Sequence, residues 1–226
     1  MVAAASSVIP GCGGDRSGGP AGRPEDVVSE SVGVTLAAAT ARIAINAPSA
    51  AAQGVVDLRA RSGQLTVSGV TLGRPATLLI AGAAGYLKQP PAEAWTALGA
   101  TMPAALRGGD PFANIDLVRG TVHILSDGGG EVDGTSTIRY TLTIDPGQAL
   151  TTTPPERQDG LRATLQGRTA LFMMDVWIDS KLLIRRVELS TDLRATTPPT
   201  RSDRVPIATD VDYVAFGVPV GAVQAP

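Results

Sequence analysis

His123 is the chain's single histidine, standing in Thr121-Val122-His123-Ile124-Leu125 near the expected end of a helix. General acid–base or triad chemistry needs a partner, and no Gly-x-Ser-x-Gly elbow occurs to supply a nucleophile. His123 therefore reads as a structural or solvent-facing residue. Asp175 and Asp179 flank Trp177 at i and i+4, which on a strand sets both carboxylates on one face, as a paired acid and base requires. Solvent-facing turn and edge positions explain them as well. Asp110, Asp116, Asp127, Glu131 and Asp133 lack the oxygen-ligand spacing of an EF-hand loop. Gly128-Gly129-Gly130 lacks the Lys and Ser/Thr of a phosphate loop and reads as a flexible turn. An enzymatic reading would require Asp175, Asp179 and His123 to meet in one cleft. The residue types instead predict a protein that is not an enzyme, with no cofactor and no metal.

Cys12 is the one residue whose chemistry is pointed to by its surroundings. Ile9, Gly11 and Cys12 fit a bacterial lipobox, in which an aliphatic residue and a small residue precede the Cys that receives lipid, while Pro10 is atypical there. A full export signal also has a basic start and an apolar run of roughly 7–15 residues. Met1 to Gly11 carries no Lys or Arg and only a short, weakly apolar stretch, so Met1 is expected to be internal to a longer signal peptide. The Gly/Pro/Ser-rich stretch from Gly13 to Pro24 is a flexible tether with no means of burying a core. A free cysteine in a disordered N-terminus is the competing reading.

The elements that follow set the rest. Of 226 residues, 43% are hydrophobic and 4% aromatic, so the interior must be built from Val, Leu, Ile and Ala. The expected organisation is a signal remnant and tether over residues 1–24, a single domain over 25–220 and a tail over 221–226. A net charge of −2 and dispersed arginines give no electrostatic footprint for nucleic acid. One cysteine excludes an intramolecular disulfide or a CxxC site. No apolar run approaches the roughly 18 residues that span a bilayer.

Pro24, Glu25 and Asp26 open a helix through Val27, Val28, Val32 and Leu36. A meander of short strands follows: Ile43 and Ile45, Val55 to Arg59, a turn at Ser62-Gly63, Leu65 to Ser68, Thr77 to Ala81, and Gly85 to Lys88. Gln89-Pro90-Pro91 stops the sheet, and Ala92 to Leu98 reads as a short helix or exposed loop. Asp110-Pro111 starts a helix with Phe112, Ile115, Val118 and Val122 as its apolar stripe. Strands resume at Glu131. Ile138, Tyr140, Leu142 and Ile144 alternate cleanly with polar neighbours up to Asp145-Pro146-Gly147. After Thr151 to Pro155 comes a helix ending near Gly167 or Thr169. Phe172 to Asp179 and Leu182 to Ser190 form a hairpin, a loop spans Thr196 to Thr200, and a last strand runs from about Ile207 to Ala215.

The fold class is therefore α+β, with several helices and an antiparallel β-sheet whose apolar face is filled or, where the sheet is strongly curved, hollow. That face is either an ordinary core or the wall of an enclosed apolar cavity. Candidate lining residues are Ile45, Leu58, Val67, Leu78, Ile80, Leu87, Trp95, Phe112, Ile115, Val118, Tyr140, Leu142, Val176, Val187 and Leu189, with Trp95, Tyr86 and Phe112 placed at the mouth.

Several segments together resemble the actinobacterial cell-envelope lipoproteins of the LppX/LprG kind, relatives in fold of the LolA/LolB carriers. These are Val176-Trp177-Ile178-Asp179 with Leu183-Ile184-Arg185-Arg186-Val187, the closing Phe216-Gly217-Val218-Pro219-Val220, and the element order from Glu25 onward. The resemblance implies a half-barrel with helices over its concave face, enclosing a cavity for the acyl chains of a lipid or glycolipid. It also implies Cys12 as the acylated anchor, hence a lipoprotein on the extracytoplasmic face of the cell membrane. It supplies no catalytic residues. The expected function is non-catalytic lipid binding and transport by a monomer, with an envelope transporter as a further partner. The alternative is an envelope protein-interaction or sensor domain with a filled core, docking through a sheet edge or the 89–110 segment.

Overall fold

The computed structural model describes residues 20–69, 73–99, 102–103, 106, 108–190, 208–221 and 223. Cys12, most of the tether and the Thr196–Thr200 loop lie outside the described residues. Helix α1 (Pro24–Ala37) leads into β1 (Thr40–Ala47), β2 (Ala50–Asp57), β3 (Ser62–Gly69), β4 (Ala76–Ala81), β5 (Ala84–Lys88) and β6 (Thr96–Gly99). Then come α2 (Pro111–Leu117), a 3-10 turn (Val118–Gly120), β7 (Thr121–Val132), β8 (Thr135–Ile144), α3 (Pro146–Thr152) and α4 (Pro155–Leu165). The chain closes with β9 (Phe172–Asp179), β10 (Ile184–Ser190) and β11 (Ala208–Phe216).

Among the described residues, all the strands form one 11-stranded sheet in the order β6-β5-β4-β3-β2-β1-β11-β10-β9-β8-β7. Two meanders grow in opposite directions, and β11 joins them by pairing antiparallel with both β1 and β10. This topology forces the segment between β6 and β7 to travel from one sheet edge to the other. It crosses the middle, where Gly109 packs against Ile45 and Gly108 against Leu189 and Thr209. Helix α2 lies on that path, and every one of its residues is buried.

Strict alternation in β3, with Gly63, Leu65 and Val67 buried between less buried residues, marks one face turned to the helices and one to solvent. The helix-facing set from Ile43 and Ile45 through Leu142, Val176 and Val211 joins Val27, Val28 and Val32 of α1, Phe112 and Ile115 of α2, and Leu161 and Leu165 of α4 in one core. Gly54 is needed where β2 meets β3. A Cβ there would lie 2.1 Å from the Gln64 carbonyl oxygen, so only glycine permits this approach.

Two helix starts use the same device. Asp110 accepts from the amides of Phe112 and Ala113 at 2.8 and 2.9 Å, and Asp145 from those of Gly147 and Gln148 at 2.8 and 3.2 Å, each followed by Pro at the first helical position. The carbonyls at the C-terminal end of α1 are satisfied from outside by Arg59, which donates to those of Leu36 and Ala37 at 3.2 and 2.7 Å.

The structure departs from the sequence reading in several places. The turn between β2 and β3 spans residues 58–61, so Leu58 leaves its expected strand, and Ser62-Gly63 belongs to β3. Thr96–Gly99 is an edge strand and not a helix or loop. Strand β7 begins at Thr121, ten positions before Glu131, and contains both His123 and Val122. Gly128-Gly129-Gly130 lies within β7, at a register shift between Ser126 and Gly129. Pro146–Thr152, where the sequence predicts a strand end and a loop, is α3.

Candidate functional site

Among the described residues, one hollow lies at the β7 end of the sheet. A half-open cleft of about 500 Å³ runs between α1, the 3-10 turn, β7 and α3. Its apolar lining is Val28 and Val32 from α1, Val118 from the 3-10 turn, and Val122 and Ile124 from β7. Polar groups come from Glu25 and Ser29, Arg119, Thr121 and His123, and Gln148 and Thr152. Helix α1 turns Val28 and Val32 to one side because they are four residues apart. A second void, about 20 Å³, has room for one water molecule and borders Leu78, Ile80, Asp110 and Arg61.

The side chains expected to line a cavity are for the most part packed against one another. Ile45, Leu58, Val67, Leu78, Ile80, Phe112, Ile115, Val118, Tyr140, Leu142, Val176, Val187 and Leu189 are all buried in the single core cluster. Leu87 is partly buried against it, and Trp95 and Tyr86 are half-buried. Val118 also lines the cleft. Phe112, expected at the mouth, is instead buried beneath the Arg61 guanidinium, which sits 5.1 Å from its ring centroid.

Beneath the helices is a buried charge cluster that the sequence reading missed. Asp116, 0% exposed, accepts from Arg157 Nε at 3.0 and 2.9 Å and from Arg61 Nη1 at 3.4 Å. Arg157 Nη1 also donates to the Leu58 carbonyl at 2.9 Å, so α2, α4 and the β2–β3 turn meet at one carboxylate. Burial pushes the Asp116 carboxyl above its ordinary 3.8, while Arg157, Arg61 and Arg119 pull the other way. Arg119 Nε lies 3.6 Å from Asp116 Oδ1, is buried, and makes no hydrogen bond. The clue in the sequence is an acid set between Ile115 and Leu117 in a helix with no polar face.

The remaining candidates for chemistry are occupied. Asp175 is buried on the opposite sheet face, where it accepts from Thr141 Oγ1 at 2.6 Å and pairs with Arg139. Asp179, also buried and not solvent-facing, pairs with Arg185 at 2.8 Å and accepts from the amides of Lys181 and Leu183, which fixes the β9–β10 turn. Trp177 between them lies under Arg139 and Arg186, at 5.1 and 5.6 Å. His123 lines the cleft, whereas neither Asp175 nor Asp179 does. Among the described residues no group of His, Cys, Asp and Glu is placed to hold a metal ion. None of their helices is long and apolar enough to cross a membrane.

An open, curved antiparallel half-barrel with helices over its concave face defines the LppX-type fold, and this chain has that fold. The lipoprotein LppX of Mycobacterium tuberculosis matches it at a TM-score of 0.57 and 13% identity, over 89% of this chain and 100% of that one. LprF of Mycobacterium bovis matches at 0.54 and 15% identity, over 90% and 98%. No protein-family model and no curated protein sequence matches the chain.

Proposed function

We propose that this chain is a non-catalytic, membrane-anchored lipoprotein of the bacterial cell envelope that binds and carries lipids or glycolipids. The observation that carries the reading is the cleft between α1, α3 and β7. At about 500 Å³ it falls in the size range of small-ligand sites, roughly 300–1,000 Å³. Its valine and isoleucine lining would remove an acyl chain from water at about 25 cal/mol per Å² buried, with no specific polar contact required. The fold shared with two lipoproteins supports the same reading. In this account Cys12 carries the anchor, and the Gly-rich stretch up to Pro24 holds the domain off the extracytoplasmic membrane face. The helices act as a lid in this reading, and their lifting would expose the aliphatic inner face, from Ile45 and Val67 to Val187 and Leu189, to the acyl chains.

One feature favours a second reading, docking of a protein partner along the outer edge. Strand β7 is an edge strand, and Val122 and Leu125 on it are 46% and 54% exposed. Native mass spectrometry with lipid extraction of the chain purified from a bacterial host tests the proposal. Co-purifying acyl lipid in near-stoichiometric amount is expected. A ligand-free mass that persists after incubation with membrane lipids would overturn it and leave the edge-docking reading in front.

A further inference from the structure

Around Asp116 the guanidiniums outnumber the carboxylates, and one of them, Arg119, reaches the cleft. Arg61, Arg157 and Arg119 gather around Asp116, with Asp110 3.9 Å from Arg61 as the second carboxylate. Three guanidiniums thus share two carboxylates. The Arg61 and Arg157 side chains are 7% and 8% exposed and committed to the interior. The Arg119 side chain is 28% exposed, and of the three only Arg119 lines the cleft. At 3.6 Å its contact with Asp116 is too long for a hydrogen bond. Glu25, also at the cleft, does not cancel this charge: its side chain is 64% exposed and lies 3.8 Å from Arg23, in solvent that screens it. Alongside Arg119, Gln148 and His123 add polar contacts, and Val28 and Val32 form the apolar run beyond them.

Building on the lipid-binding reading, we infer that this cleft selects amphiphiles with an anionic head, a carboxylate or phosphate held by Arg119, over neutral amphiphiles of the same chain length. A guanidinium presents several donors in one plane and matches either oxyanion in a two-pronged way. The partly enclosed site strengthens that attraction relative to open water.

Calorimetric titration of the delipidated full chain with decanoate, decan-1-ol and inorganic phosphate tests this. Decanoate is expected to bind at least about tenfold tighter than decan-1-ol, the size of one charge-assisted hydrogen bond, and phosphate alone much more weakly than decanoate. Arg119→Lys should retain part of the preference, the share that comes from charge without the two-pronged match. Arg119→Gln should abolish it while leaving decan-1-ol binding in place. Should Arg119→Gln fail to fold, added salt serves instead, weakening decanoate binding in the native chain without weakening that of decan-1-ol. Equal affinity for the two ten-carbon ligands would overturn head selectivity and leave the lipid reading standing. Phosphate binding as tightly as decanoate would overturn the inference in favour of a simple anion site. Binding of neither ten-carbon ligand would sink both readings.

Discussion

Arg157 Nε donates to both oxygens of Asp116, at 3.0 and 2.9 Å, and so fastens α4 to α2 in the buried space between the helices and the β2–β3 turn. Removing one partner of a buried pair leaves the other charge uncompensated, at a cost of about 3–5 kcal/mol. Arg157→Ala is expected to lower unfolding free energy by that amount in urea denaturation. A loss below about 1 kcal/mol would mean that Arg61 and Arg119 already satisfy Asp116.

Gly160 on α4 presents a case where two effects oppose each other. In a helix, Gly→Ala ordinarily stabilises by about 0.8–1 kcal/mol. Here the new Cβ would lie 2.0 Å from Arg61 Nη2, and Arg61 is held against Asp116 and Phe112. Overpacking of this kind costs about 1–3 kcal/mol, so crowding wins. Gly160→Ala should lower the melting temperature, and pairing it with Arg61→Ala should recover the helix-propensity gain.

Tyr213 sets an alkaline limit. Its fully buried hydroxyl donates to the Pro111 carbonyl, and burial, then the charges of Asp110 and Asp116, push the phenol well above its ordinary 10.0. The native state therefore holds this proton more tightly than the unfolded chain does. That contribution is fully present below pH 10 and is lost as pH rises toward the folded-state value. Denaturation curves from pH 8 to 11 should show stability falling, with a shallower decline in Tyr213→Phe. The variant itself should lose about 1–2 kcal/mol at neutral pH because the Pro111 carbonyl is left unpaired.

Thr35 joins α1 to the sheet. Its buried Oγ1 accepts at 2.9 Å from the amide of Ile184, 149 positions further along the chain. Thr35→Val keeps the shape and removes the acceptor, at about 1–3 kcal/mol for a buried unpaired N–H. Hydrogen exchange at Ile184 should accelerate by more than exchange within β3, where nothing has changed.

The parts of this fold that were legible in the sequence are those whose period or punctuation is local. Ile138 to Ile144 alternates because one face of β8 meets the helices, and the β9–β10 hairpin is bracketed by Asp179 and a polar turn. Asp110-Pro111 announced α2 because an apolar stripe follows it. The same pair at Asp145-Pro146 did not announce α3, because Gly147, Gln148 and the threonines give no apolar period and the helix buries only Pro146 and Ala149. Strand β7 was hidden by its glycines, which read as a turn although they sit at a register shift inside a strand, with Gly128 at φ +89°. The inward-facing aliphatic residues were identified by type, but where packing closes and where it stays hollow depends on how α1 and α3 lie over the sheet. The cleft draws its lining from Glu25 to Thr152, scattered over several elements and mixed in polarity, so no sequence period marks it.

The α1–α3–β7 cleft is proposed to hold an acyl chain. Ser29 is exposed on α1 and lines that cleft, so Ser29→Trp fills the hollow without disturbing the core. The decisive measurement is the lipid-to-protein ratio by native mass spectrometry of the native chain and Ser29→Trp, purified side by side, with matching melting temperatures as the control. Near-stoichiometric acyl lipid on the native chain and a loss of at least about tenfold on Ser29→Trp is the predicted result. Equal lipid on both proteins, or none on the native chain after incubation with membrane lipids, would contradict it.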